Sequence, residues 1–176
     1  MPARQTSLPK LWLVSDRRND TALNSAILRL PRGSGVVFRH LHLPAAERAL
    51  RLLVVRRLCR RGRHVLVVAG DGRASKPAGV AGTYGPPAPL RLLANVHSLR
   101  EIARANALGA GAIVLSPLYP TRSHPGARGL GPVRALLLAR RARVPVIALG
   151  GMTAARFRGL QSARIFAGWA AIDGLS

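Results

Sequence analysis

Residues 144–153 read Val-Pro-Val-Ile-Ala-Leu-Gly-Gly-Met-Thr, and this stretch contains the pattern that decides the fold. Residues 146–149 form an apolar run that is short enough for a buried strand, and two glycines end it. Thr153 follows where a helix N-cap is expected, because its hydroxyl can accept a hydrogen bond from an amide of the first turn. The stretch therefore predicts a strand, a tight turn and a helix.

Units of this kind occupy most of the chain. Runs rich in Val, Ile and Leu alternate with Ala-, Leu- and Arg-rich stretches at helical spacing, a pattern typical of parallel sheets buried on both faces. The predicted strands are residues 11–15, 36–39, 64–69, 80–84, 90–96, 112–116, 146–149 and 164–167. The predicted helices are residues 21–30, 45–61, 98–109, 132–141 and 153–160.

Eight strands separated by helices or loops favour an α/β fold, a compact (β/α)8 TIM barrel. A single domain, residues 1–176, is expected from the length. Only nine residues follow residue 167, so the final helix is expected to be reduced or missing unless residues 170–175 form a short one.

Composition predicts a soluble globular protein. The chain is 48% hydrophobic, yet no apolar stretch approaches the roughly 18 residues that a membrane span needs. Cys59 is the only cysteine, which excludes an intramolecular disulfide and a cysteine-cluster metal site. A cytoplasmic location is therefore expected.

Charge is strongly unbalanced, with 28 basic and 6 acidic residues and a formal net charge of +22. Such a surface attracts polyanions. However, the basic residues are scattered through nearly every segment, and the aromatic content of 4% leaves few platforms for base stacking. Nucleic acid is therefore not the expected partner, whereas a small phosphorylated metabolite would benefit from the same field.

Gly150 and Gly151 are the first candidate for binding. Without Cβ atoms, their backbone can approach an anion closely, and the start of the following helix adds a favourable partial charge. The alternative is an ordinary strand-to-helix turn that needs glycine. Residues 168–172 form the predicted final loop beside this turn, where Trp169 could pack rather than bind.

Residues 116–132 form a long predicted loop with hydroxyls, two arginines and a histidine between glycines. Connections of this length in a compact domain are usually functional or disordered. Hydroxyl and guanidinium groups donate hydrogen bonds to anions, so the composition indicates a phosphate clamp or a lid. A flexible basic loop is the alternative.

His97 is the candidate for proton transfer. It ends the predicted fifth strand, directly before a capping box in which Ser98 and Glu101 each satisfy an amide. Imidazole can accept and donate protons near neutral pH, although a structural hydrogen bond at the strand–helix corner is the alternative. His40, His42 and His64 lack metal-ligand spacing and are interpreted as structural or exposed.

Several of these stretches resemble, in order and spacing, the thiamine phosphate synthase/TenI group of (β/α)8 barrels. They are residues 96–101, 107–110, 115–121, 126–131 and 144–153. Residues 11–16 resemble the family's first strand, and the similarity is faint between residues 41 and 90.

The resemblance implies binding of a thiazole phosphate. Its phosphate would lie near Gly150 and Gly151 and near the final loop around Ala170 and Ala171. Other positions also correspond to the family pattern. Arg39 matches an arginine at the end of strand two, Thr121 and Ser123 match hydroxyl positions of the loop after strand six, and His124 stands where the family often has lysine.

Departures from the family pattern concern the synthase reaction. Val37 and Leu41 replace a typical glutamine and lysine, and the Asn-Asp pair expected after strand three is Ala69 and Gly70, with Asp71 one step beyond as a possible Mg²⁺ ligand. No acidic residue follows until Glu101. Mg²⁺ prefers carboxylate oxygens, so a site with only one is expected to be weak unless a diphosphate brings the metal.

His97 matches the residue that TenI-type members use for proton transfer during aromatisation of a thiazole carboxylate phosphate. This tautomerisation requires neither metal nor leaving group. The favoured function is therefore a thiazole tautomerase. The alternatives are a Mg²⁺-dependent synthase that joins hydroxymethylpyrimidine diphosphate to thiazole phosphate, and a protein that binds a phosphorylated ligand or nucleic acid without turnover. A homo-oligomer is compatible with each.

Overall fold

A computed structural model describes residues 8–70, 77–122, 126, 128–173 and 175. Its eight strands are all parallel and close into a barrel, with β8 paired to β1. The strands are β1 (Leu11–Val14), β2 (Gly35–Phe38), β3 (Val65–Ala69), β4 (Gly82–Gly85), β5 (Leu93–Val96), β6 (Ala112–Leu115), β7 (Val146–Leu149) and β8 (Phe166–Ala171). The predicted (β/α)8 barrel is confirmed.

Within the described ranges, five α-helices accompany the eight strands. They are α1 (Leu23–Arg29), α2 (Ala45–Gly62), α3 (Leu99–Ala107), α4 (Pro132–Ala139) and α5 (Ala154–Gln161). No helix in these ranges is long and apolar enough to cross a membrane. No helix follows β8 in this part of the chain, so the short helix offered for residues 170–175 is wrong.

Two strands, β5 and β8, differ from the prediction by more than two residues at one end. Residues 90–92 precede β5 as a turn, in which Leu90 has a φ of 57° and is 96% exposed. At β8, the expected strand 164–167 and loop 168–172 are replaced by one strand with a register irregularity beside β7. Gly168 lies inside this strand, where a Cβ would come within 2.6 Å of the Lys10 carbonyl oxygen. The absence of a side chain therefore permits the close approach of β8 to the backbone before β1.

Trp12 fills the barrel interior near the amino-terminal ends of the strands. Its side chain is fully buried, and its indole Nε1 donates a hydrogen bond to the Pro9 carbonyl at 2.7 Å. Gly35 lies opposite it in the β1–β2 register, and a methyl group at Gly35 would overlap the indole ring. A large residue and a residue without side chain thus share one layer of the core.

Helix α2 faces the barrel with a different stripe from the one that the sequence pattern indicated. At helical spacing, Leu50, Leu53, Val54 and Leu58 share one stripe, and the sequence predicts that this stripe faces the barrel. The structure contradicts this prediction, because Leu50, Leu53 and Val54 are exposed. Val55 and Cys59 are buried instead, and burial raises the pKa of the Cys59 thiol to about 12. Apolar residues occur all round this helix, so periodicity could not select the inner face.

Gly35→Ala is expected to destabilise the barrel. The added methyl group must displace the Trp12 ring from a closed core, and overpacking of this kind costs about 1–3 kcal/mol. Urea unfolding should therefore show a lower free energy of unfolding than for the parent.

Gly159→Ala is the matched control. Gly159 lies within α5 with open space around its Cα, so alanine is expected to leave stability unchanged or raise it by up to about 1 kcal/mol. Equal stability of Gly35→Ala and the parent would contradict the packing described for Trp12.

Candidate active site

The carboxyl-terminal ends of the strands surround an open cleft of about 1910 Å³. In a closed parallel barrel, these ends meet at one rim, where loops can carry functional groups without disturbing the core. Among the sequence-predicted site residues, the described lining includes Arg39, His97, Thr121, Gly150, Gly151 and Ala171. The fold therefore brings together residues that lie more than one hundred positions apart.

His97 stands at the exit of β5 with an exposed imidazole. Its Nδ1 lies 2.7 Å from the carbonyl oxygen of Ser116, at the exit of the neighbouring strand β6. A carbonyl oxygen can only accept a hydrogen bond, so this contact places a proton on Nδ1. In the neutral ring, Nε2 then carries the lone pair, with the Asn95 amide nitrogen 3.4 Å away.

The start of α3 fixes the backbone of His97. The Ser98 side chain accepts a hydrogen bond from the Glu101 amide, as predicted for an N-cap. The Glu101 carboxylate differs from the predicted capping box, because it accepts from the His97 amide at 2.6 Å and from the Ser98 hydroxyl at 3.1 Å. The carboxylate therefore holds the histidine itself at the strand–helix corner.

Gly150 and Gly151 make a close contact with the loop after β6. Both have positive φ angles, 96° and 59°, and a Cβ on Gly150 would come within 2.7 Å of Pro117 Cα. The Gly150 carbonyl accepts from the Tyr119 amide at 3.1 Å, and the Gly151 carbonyl accepts from Arg156. Both positions thus require glycine, because a side chain would overlap the loop after β6. The two hydrogen bonds given above engage the carbonyl groups of the glycines, not their amides.

The end of β8 supplies Ala171 to the cleft, whereas Ala170 lies deeper. Ala170 belongs to the apolar cluster inside the barrel and is only 2% exposed. Side chains alternate along a strand, so the Ala171 side chain points to the outer face of the sheet, where it is 4% exposed in the cluster between strands and helices. Trp169 is buried against Phe157, with ring centroids 6.2 Å apart, which confirms that it packs rather than binds.

Arg39 is positioned by a buried network beneath the rim. The Ser15 hydroxyl accepts a hydrogen bond from the Arg39 amide and contacts His40 Nδ1, each at 2.8 Å. His40 Nε2 lies 2.8 Å from the Asp20 carboxylate, which Arg51 also contacts. These contacts hold His40 at a φ of 37°, a conformation that is uncommon outside glycine.

The network also shifts two ionisation equilibria. Burial disfavours the imidazolium and lowers the pKa of His40, although Asp20 opposes this effect. Burial acts to raise the pKa of Asp20, but hydrogen bonds from His40 and Arg51 outweigh it, and the pKa of this carboxyl is lowered. At neutral pH, the folded protein thus contains a neutral His40 and an ionised Asp20.

Asn95 and Arg156 are among the polar residues of the cleft that sequence reasoning missed. Asn95 has the carboxamide beside His97 Nε2, and Arg156 stacks its guanidinium on the Tyr119 ring at 4.5 Å from the centroid. Asn95 lies in a strand that is otherwise apolar, so the sequence pattern did not mark it as a site residue. Its position two residues before His97 was the available signal, because residues two apart in a strand lie on the same face. Arg156 was one arginine among many.

Three predicted site residues, Asp71, Ser123 and His124, lie outside the described residues. Within the described part of the chain, no group of three or more His, Cys, Asp or Glu side chains could hold a metal ion. The carboxylate in the described lining of the cleft is Asp173, which forms an ion pair with Arg18 at 3.3 Å. Asp173 is thus the carboxylate that the described lining offers to a cation such as Mg²⁺, while the predicted ligand Asp71 lies outside the described residues.

Comparisons with known proteins agree with this architecture. The family model for thiamine monophosphate synthase, TMP-TENI, matches residues 90–175. A curated relative, putative thiamine-phosphate synthase 2 of Aquifex aeolicus (strain VF5), is 39% identical over 59 residues, which are 34% of this chain and 32% of that protein. The similarity thus spans about a third of the length of that relative.

Two solved structures share the fold. Thiamine phosphate pyrophosphorylase from Pyrococcus furiosus superimposes with a TM-score of 0.77 at 22% identity, covering 95% of this chain and 87% of that chain. KDPG aldolase from Legionella pneumophila gives a TM-score of 0.56 at 12% identity, covering 94% and 84% of the two chains. Identities this low show the fold alone.

The stability of the barrel is expected to decline as pH falls, in two steps. Below the ordinary histidine pKa of 6.5, the unfolded chain binds a proton that folded His40 resists, so the contribution present above pH 6.5 is lost. Below 3.8, the ordinary pKa of Asp20, the unfolded carboxyl binds a proton first, and its contribution is lost as pH falls through the lowered folded value. Urea midpoints measured against pH test both steps.

His40→Asn should flatten the first step, leaving the part from His64, whose pKa burial also lowers. A first step that keeps its full size in His40→Asn would contradict the role given to the network.

Proposed function

We propose that this chain, whose residues 90–175 match the family model for thiamine monophosphate synthase, is a thiazole tautomerase of the thiamine phosphate synthase/TenI family. The substrate is a non-aromatic thiazole carboxylate phosphate bound in the cleft. The reaction moves one proton and makes the ring aromatic. The hydrogen bond between His97 and the Ser116 carbonyl is the observation that carries this proposal.

That hydrogen bond gives His97 the form that a general base needs. With the proton fixed on Nδ1, the lone pair of Nε2 faces the cleft from an exposed ring. Nε2 accepts the proton from one position of the substrate ring, and the electron pair of the broken bond moves into the ring. The Ser116 carbonyl remains an acceptor for Nδ1–H and stabilises the resulting imidazolium.

The second half of the reaction returns the same proton. Imidazolium Nε2–H donates it to a different atom of the substrate, so histidine ends in its starting form and no atom is gained or lost. The Asn95 carboxamide, 3.4 Å from Nε2, is suited to orient the ring during both transfers. Tautomerisation has no leaving group, so it needs no metal ion to stabilise one.

The substrate phosphate is proposed to bind at the turn after β7. Gly150 and Gly151 place backbone without side chains at the rim, and α5 begins three residues later with the positive end of its dipole. Arg156 and Arg122 add positive charge to the same side of the cleft. Ser123 and His124 remain proposed donors from the loop after β6, and Ala171 contributes from β8.

The synthase reaction is the second candidate, and one feature of the cleft favours it. Beyond His97, the lining continues to Arg39 and Arg91, which would suit a second anionic substrate. Against it, Asp173 is the carboxylate in the described lining, and Asp71 would have to supply a Mg²⁺ ligand from outside the described residues, whereas tautomerisation requires no metal ion. The tautomerase is therefore preferred.

His97→Ala is expected to lower kcat for tautomerisation by at least about a hundredfold, because general acid–base assistance contributes a factor of about 10² to 10⁴. Ultraviolet absorbance of the aromatic product measures the rate. His42→Ala removes an exposed histidine outside the lining and should retain the parent rate.

Equal rates for His97→Ala and the parent would exclude the proposed base. Formation of thiamine phosphate from the two synthase substrates, dependent on added Mg²⁺, together with an absent tautomerase rate, would establish the second candidate instead. Binding of thiazole phosphate without either reaction would leave only the non-catalytic alternative.

Arg156→Gln should weaken binding of thiazole phosphate about tenfold or more, because a hydrogen bond to a charged group contributes about 1.5–3 kcal/mol. Isothermal calorimetry with the phosphate and with the unphosphorylated thiazole alcohol separates this effect from loss of ring contacts. Arg158→Gln is the matched control, since Arg158 is exposed on the same helix outside the cleft lining. Equal weakening by both variants would contradict the proposed phosphate position.

A further inference from the structure

Ten exposed cationic side chains cluster at the amino-terminal end of the barrel, opposite the cleft. We call this end the basic face; its residues are Lys10, Arg29, Arg32, Arg60, Arg61, Arg63, Arg140, Arg141, Arg143 and Arg164. Each belongs to the last turn of a helix or to the segment that leads into a strand. Because all eight strands are parallel, every such segment lies at the same end of the barrel.

The described acidic residues lie at the other end. Asp16, Asp20 and Asp173 follow β1 or β8, while Glu47 and Glu101 lie in the first turns of α2 and α3. No described acidic residue belongs to the segments that form the basic face. The ten cations of this face therefore have no carboxylate among them, whereas the cations of the cleft end lie among the described acidic residues.

Helix dipoles account for only part of this separation. The carboxyl end of a helix favours cations and its amino end favours anions, which rationalises Arg29, Arg60 and Arg61. Arg32, Arg143 and other residues of the connecting segments lie beyond the helices. Within the described residues, no member of the basic face forms an ion pair with a carboxylate, so these charges face solvent.

Backbone hydrogen bonds hold the basic face in place. The Gly33 amide donates to the Gly62 carbonyl at 3.2 Å and joins the segments before β2 and β3. The Asn106 side chain donates to the Arg141 carbonyl at 2.9 Å and accepts from the Arg143 amide at 3.0 Å. The cations thus stand on a fixed surface, which lowers the entropy lost when a partner binds.

We propose that the basic face binds the sugar–phosphate backbone of a nucleic-acid duplex. The interpretation of the sequence set nucleic acid aside because the arginines are spread along the chain, but the barrel collects them on one surface. Guanidinium groups match phosphate oxygens in a bidentate geometry. The segments that form the basic face contain no Phe, Trp or Tyr on which a base could stack. The proposed contact is therefore to phosphates, and binding is independent of base sequence.

An anionic membrane fits this surface less well. Anchoring to a bilayer normally combines basic residues with apolar side chains that insert. Three large exposed hydrophobic residues lie toward this end: Leu28 and Leu137 in the last turns of α1 and α4, and Leu90 before β5. They belong to units that are not neighbours in the barrel, so they do not form one apolar group for insertion. The inference is independent of the proposed enzyme activity, since the cleft opens at the opposite end.

Fluorescence anisotropy of a labelled 24-base-pair DNA duplex of mixed sequence tests the proposal between 50 and 200 mM NaCl. The parent should bind with a linear dependence of log K on log salt. The triple variant Arg60→Gln, Arg61→Gln, Arg63→Gln should reduce the slope by about 2.7, if each arginine neutralises one phosphate. A second triple variant, Arg32→Gln, Arg140→Gln, Arg164→Gln, should act similarly from other segments of the same face.

The matched control removes the same charge at the cleft end, through Arg17→Gln, Arg100→Gln and Arg134→Gln, all exposed positions. It should keep nearly the parent slope. Equal slopes for the control and the two face variants would show attraction by net charge alone and would overturn the proposal. So would an absence of duplex binding at 150 mM NaCl, or preferential binding to phosphatidylserine over phosphatidylcholine vesicles that the two face variants weaken more than they weaken duplex binding.

Discussion

Pairing between β8 and β1 is the constraint on which the rest of the structure depends. It closes eight parallel strands into a barrel, so that every strand exit reaches one rim and every strand entry the other. Trp12 and Gly35 fill the closed interior together. Closure thus determines which residues can meet, and His97, Gly150 and Arg39 line one cleft although they are distant in the chain.

A second consequence of closure is chemical separation of the two ends. The cleft end contains the described acidic residues, His97 and the glycine turn, while the opposite end contains cations in segments without a described acidic residue. The small anion and the large polyanion that we propose as ligands would therefore bind at opposite ends of one domain and would not compete. The buried Ser15–His40–Asp20 network supports the first of these functions, because it holds the backbone of Arg39 at the rim.

Local patterns predicted the elements that depend on local chemistry. The apolar run of β7, the Thr153 cap and the Ser98 cap are all present, because a cap and a short buried strand are determined by neighbouring residues. His97 was placed at the rim by the same reasoning. The start of β5, the path of β8 and the inner face of α2 were wrong, because contacts across the barrel determine them.

The features that could not be predicted depend on tertiary contacts. Gly168 looks like a strand breaker, yet it permits close contact with the Lys10 backbone. Ala170 looks like a loop residue, but the extra length of β8 buries it. The basic face could not be predicted from the sequence for the same reason. Its arginines are far apart in the chain, and they come to one end only because the parallel barrel places every strand entry there.

We propose that His97 Nε2 and the Gly150–Gly151 backbone act on the same small anion. Nuclear magnetic resonance of the ¹⁵N-labelled protein, titrated with thiazole phosphate, measures both groups in one experiment. We expect that free His97 carries its proton on Nδ1, and that the signals of Nε2 and of both glycine amides shift along one common binding curve. A proton on Nε2 in the neutral ring, or glycine shifts with no response from His97, would contradict it.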